Sequence, residues 1–217
     1  MKRVHILCEG QTEEQFVKNL LAPFLNHFDV FADAKILVTK QSYSGRNEKG
    51  GVSTYSKIAR ELKVLCKDHS ACVTTMLDLY KLPNDTPGME DKQSDPIQYA
   101  LHIEKSIDQD IGYPNCHSNI TVHEFEALLF SDPSAFSCLG EAKIEEKIRR
   151  IKDTFTTPEH INSSIDSAPS KRILRLKSDY KKTSQGIEIA KIIGIEKMKE
   201  NCLHFSEWID NIIKIAQ

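Results

Sequence analysis

The 217-residue chain contains no apolar run approaching the roughly 20 residues that a membrane-spanning helix requires. It also lacks any marked charge of one sign. With 29 Lys and Arg against 31 Asp and Glu the formal net charge is −2, so no global field draws it to nucleic acid or to a lipid surface. Any such contact has to be local. Six cysteines, at 8, 66, 72, 116, 138 and 202, form no C-x-x-C pair and no Cys/His zinc spacing. The phosphate loop G-x-x-x-x-G-K-[ST] is missing, as are internal repeats and low-complexity tracts. The apolar stretch in MKRVHILCEG is too short for a signal-peptide core and carries no small-residue cleavage site, so a cytoplasmic protein without a membrane partner is expected.

What is present is the composition of an ordinary globular domain, 40% hydrophobic and 28% charged. The hydrophobic period alternates along the first half. Val4–Cys8 reads as a fully buried strand, and residues 12–25 as a helix with Phe16, Leu20, Leu21 and Phe24 on one face. Lys35–Thr39 (KILVT) is a second candidate strand, followed by a polar, glycine-containing loop at 42–51. An amphipathic helix over 54–68 leads to a third strand, Ala71–Leu77. A three-proline loop, a helix over Ile97–Asp110 and a short strand, Asn119–Val122, come next. Strands separated by helices predict an α/β fold with a mainly parallel central sheet flanked by helices. From about residue 132 every segment reads as helical, around 141–153, 169–177, 186–193 and 204–215. With no linker before it, 132–217 is expected to form a helical cap on a 1–131 core within a single domain.

The chemistry concentrates at strand ends. In parallel sheets ligands gather outside the carboxyl ends of the strands, and Glu9, Asp78 and Glu124 each follow a predicted strand. Converging carboxylates repel unless protons or a cation compensate. Oxygen ligands without a Cys/His quartet favour Mg²⁺ or Mn²⁺. Each acid also has an ordinary reading. Thr12 with Gln15 fits a capping box, Glu13 and Glu14 suit a first helical turn, and Asp78 suits a turn before Pro83. Glu124 and Glu126 suit a helix start. On an ideal helix these two would diverge, so only one of them, with Glu124 preferred, is expected to face a site.

The ordered blocks CEGQTEE, LDLYKLP, HEFEALLFSD, PEHIN with PSKR, and CLHFSEWI resemble the domain of unknown function family 4276, from about residue 3 to 212. That family is assigned a Toprim-like fold, the metal-dependent core of topoisomerases, primases and OLD-type nucleases. The resemblance implies that the first Toprim glutamate is Glu9, and that a second, one helical turn on, is Glu13. The Asp-x-Asp motif falls on Asp78, but its second position is Tyr80, a poor Mg²⁺ ligand, leaving Glu124 or Glu126 to complete the set. Glu9, Asp78 and Glu124 would then be catalytic. The implied activity is hydrolysis of DNA or RNA by a Mg²⁺-dependent nuclease, as an anti-phage effector working with a separately encoded ABC- or AAA-type ATPase.

Residues 168–182 hold six basic side chains against one acid. Lys171 and Arg175 share a helical face, and Lys171 with Arg172 are the candidate phosphate contacts, in competition with a plain solvated face. Tyr80 favours a second class of function, a non-catalytic module that docks on an ATPase or a phage component. A third is hydrolysis of small phosphates.

Overall fold

The computed structural model describes residues 2–37, 54–161 and 167–215. The loop expected at 42–51, and Val38 and Thr39 of the KILVT segment, lie outside them. Four strands, β1 (Lys2–Cys8), β2 (Val30–Ile36), β3 (Ala71–Asp78) and β4 (Ile120–Thr121), form one all-parallel sheet in the order β2-β1-β3-β4. The α/β expectation therefore holds.

β1 and β3 are central, so both their faces are covered and the sequence reads as continuous apolar runs. Val4, Ile6, Cys8, Cys72 and Met76 face one layer, while Leu7, Val73 and Leu77 face the other. β2 differs. It is an edge strand with Val30, Ala32 and Ala34 buried and Phe31 exposed. Its half-buried alternation shifts the strand about five residues earlier than the apolar run KILVT suggested.

The second layer has two origins. On the Leu7 face lie α3 (Tyr55–Leu65) and α4 (Pro96–Ile111), contributing Ile58, Leu62, Ile103 and Ile107. Asp95 starts α4 by accepting the Ile97 and Gln98 N–H groups, and Gly112 ends it at φ +69°. The Val4 face is covered from both ends of the chain. At the N-terminal end, α1 (Gln11–Phe16), a π-helical turn (Val17–Leu21) and α2 (Ala22–Asn26) occupy the span read as one helix. Pro23 has no N–H to return to the preceding turn, and the π turn lies just before it.

At the C-terminal end, α5 (Glu126–Leu129), α6 (Ile144–Lys152), α7 (Pro169–Leu176), α8 (Ile187–Ile193), α9 (Ile195–Asn201) and α10 (Leu203–Ile215) supply Leu129, Ile148, Ile173, Ile189, Met198 and Trp208 to the same core. α9, the seven residues IEKMKEN directly after Gly194, is a separate helix that the sequence reading does not include. No helix among the described residues is long and apolar enough to cross a membrane.

After β1 the chain moves outward to β2, then returns past β1 to form β3. The strand order therefore reverses between β1 and β3, and their carboxyl ends flank the switch point at which such sheets bind ligands.

Candidate functional site

Cys8 pairs in register with Met76, and the Glu9 N–H continues the ladder to the Met76 carbonyl at 3.2 Å. That register brings Glu9 beside Asp78, the last residue of β3. Glu9 Oε2 accepts the Asp78 N–H at 3.4 Å. Leu79–Lys81 then makes a short 3₁₀ turn, which folds Lys81 back over both acids. Its Nζ lies 2.7 Å from Asp78 Oδ2 and 3.0 Å from Glu9 Oε1.

Glu13 reaches the same place from α1. Its Oε2 accepts the Gly10 N–H at 3.1 Å, closing the first turn. The expected cap by Thr12 and Gln15 does not form. The N-cap is Gly10, two residues before Thr12, so Glu13 takes the return position, and Gln15 instead accepts from Asn19.

The second pair comes from the β4–α5 bend. His123 sits there at φ +70°, in the left-handed region. The following residues are not yet helical, since α5 starts at Glu126. Helical spacing therefore does not apply, and both glutamates point inward, against the expectation that only one would. Lys182 Nζ is 2.9 Å from Glu124 Oε2 and 3.0 Å from Glu126 Oε2. Glu124 also accepts the Tyr80 hydroxyl at 3.0 Å and the Ser170 N–H from the start of α7.

Lys182 opens a π turn, Lys182–Gly186, against which Tyr180 packs. A Cβ on Gly186 would come within 2.6 Å of the Tyr180 hydroxyl oxygen, so a glycine is needed for that close approach.

Burial sets the electrostatics. Desolvation pushes Asp78 well above the usual carboxylate range, with Lys81 opposing and the charges of Glu9 and Glu13 adding. It likewise raises Glu13, and lifts Glu126 to about 7 against the pull of Lys182. Burial also opposes the charge on Glu124, but Lys182 and the Ser170 hydrogen bond outweigh it and hold this carboxyl low. Desolvation disfavours both ammoniums too. The paired acids outweigh it and keep Lys81 and Lys182 firmly charged.

Five carboxylates thus meet two ammoniums, an excess of three acids. Asp78 Oδ1 and Glu126 Oε1 are buried without a hydrogen-bond partner. As arranged, no three or more His, Cys, Asp or Glu among the described residues form a cluster able to hold a metal ion. Four of the acids stand as two pairs, each closed on a lysine, while Glu13 is held on the Gly10 N–H. Their chemistry, carboxylate oxygen alone, nonetheless fits Mg²⁺ or Mn²⁺.

The candidate phosphate contacts behave differently from each other. Lys171 is exposed on α7. Arg172 is turned inward, donating to the Ser167 carbonyl at 2.7 Å and stacking 5.1 Å from the Phe155 ring centre. Sequence reasoning missed both lysines of the site. Lys81 had a local signal, three residues after Asp78 within LDLYKLP. Lys182 had none, being counted only within a basic stretch.

A parallel α/β sheet with an acidic cluster at its topological switch point defines the class of protein. More particularly, the chain belongs to the family described as Domain of unknown function (DUF4276), whose model matches residues 8–213. No curated protein and no solved structure matches it.

Proposed function

We propose that the protein is a Mg²⁺- or Mn²⁺-dependent phosphodiesterase that cleaves nucleic acid. The observation that carries this reading is the excess of buried carboxylates at the switch point, with one oxygen each of Asp78 and Glu126 left unpaired. Glu9, Glu13, Asp78, Glu124 and Glu126 would hold the cation. When bound, a divalent cation there supplies charge to activate water and to stabilise a leaving oxygen. The reading is supported by the Tyr80 hydroxyl, which joins the turn after Asp78 to Glu124, and by Lys171 on α7, which would offer a positive charge to a phosphate. A role as an anti-phage effector with a separately encoded ABC- or AAA-type ATPase is supported only by the resemblance of the motifs to OLD-type proteins.

The test is cleavage of labelled DNA and RNA with Mg²⁺ or Mn²⁺ by wild type, Glu9→Gln and Asp78→Asn. Cation-dependent cleavage lost in both variants supports the reading, and equal cleavage by all three removes it. A second reading, a non-catalytic module docking on an ATPase or phage component, is favoured by Tyr80. Its hydroxyl bonds to Glu124 where a further acid would otherwise extend the ligand set.

A further inference from the structure

The two lysines and the acids they bridge are not alike. The side chains of Asp78, Glu124 and Glu126 are each 1% exposed, whereas those of Lys81 and Lys182 are 34% and 35% exposed. The acids are fixed by the ends of β3 and the β4–α5 bend. The lysines enter from the solvent side, on a one-turn 3₁₀ segment and at the start of a π turn. Neither closure is complete. Lys81 satisfies Oδ2 of Asp78 and leaves Oδ1 orphaned, and Lys182 satisfies Oε2 of Glu126 and leaves Oε1 orphaned. A buried carboxylate oxygen without a partner is unfavourable.

We infer that Lys81 and Lys182 are exchangeable counter-ions, which hold the carboxylate pairs closed without metal and are displaced outward when a divalent cation takes their place. This rests on the reading of the site as a divalent-cation centre. Each lysine is thereby an internal competitor for the cation. A single charge that engages one oxygen per acid gives way to a double charge open to the orphaned oxygens as well. The released ammoniums remain tethered at the rim, where an anionic substrate approaches. The site would thus be self-inhibited at low divalent cation concentration.

Two measurements on the full chain test this. In calorimetry with Mn²⁺ alone, Lys81→Met and Lys182→Met should each bind about tenfold tighter than wild type, because a closed state populated about nine-tenths of the time no longer competes. In wild type, acetylation of amines followed by mass spectrometry should show Lys81 and Lys182 labelled several-fold faster with Mn²⁺ than without. Lys18, on an exposed helix face, should be unchanged. The labelling arm distinguishes exchange from a mere change of charge, and decides the matter if either variant fails to fold.

Mn²⁺ binding by wild type with unchanged labelling overturns the exchange and leaves the metal reading standing. No Mn²⁺ bound by wild type or either variant overturns both. Binding only by the lysine variants overturns the exchange, since the lysines of wild type are then not displaced by the cation.

Discussion

The Tyr80 hydroxyl donates to Glu124 Oε2 at 3.0 Å, joining the end of β3 to the bend after β4. Tyr80→Phe removes this bond but leaves Glu124 its Lys182 and Ser170 partners. A loss of about 1 kcal/mol in urea unfolding is expected. Tyr80→Asp separates the two functional readings. It adds a carboxylate beside the cluster and should tighten Mn²⁺ binding in calorimetry if the site holds a cation. Unchanged binding would favour the docking module.

Glu159 is 2% exposed, and its two oxygens accept the His204 and Phe205 N–H groups at 3.1 and 2.9 Å. It thus caps the start of α10 from 45 positions away in sequence. Glu159→Ala should cost roughly 2 kcal/mol, the upper end for a lost helix cap, because the orphaned N–H groups are buried. Chemical denaturation measures this, and any effect on Mn²⁺ binding should be small.

His204 Nε2 pairs with Glu104 Oε1 at 2.9 Å. Burial opposes the imidazolium, but Glu104, with the charges of Glu159 and Glu207, outweighs it and raises the folded value above the ordinary 6.5. A raised histidine binds its proton more tightly when folded. Its contribution to stability is therefore fully present below about pH 6.5 and is lost as pH rises through the higher folded value. The stability difference between wild type and His204→Gln should be largest at pH 6 and shrink toward alkaline pH, as followed by Trp208 fluorescence in urea.

All six cysteines are free, and Cys138 alone is exposed. Burial pushes the Cys8 and Cys202 thiols far up, and raises Cys72 to about 11. A chromogenic disulfide reagent should titrate one thiol rapidly in the native protein and six after denaturation. Cys138→Ser should abolish the fast phase.

Much of the sheet is legible from the chain because β1 and β3 are buried on both faces, and an apolar run ending at an acid marks each of them. β2 is less legible because an edge strand needs burial on only one face, so Phe31 and Lys35 stay exposed within it. Glu9 and Asp78 could be placed at one sheet edge from strand order alone. The pairing of Glu124 with Glu126 could not, since it depends on the left-handed turn at His123. PEHIN reads as a local helix start, yet its glutamate serves α10, a long-range hydrogen bond with no periodic trace in sequence.

By itself the sequence determined the α/β class, the helical C-terminal third, and the set of acids at the strand ends, because burial periodicity and strand-end chemistry are local properties. Only the tertiary structure decided how those acids are neutralised. Lys81 and Lys182 come from separate turns, and which carboxylates they bridge depends on strand register and on the packing of the cap over the sheet. Charge compensation acts across space, and nothing in the order of residues records that distance.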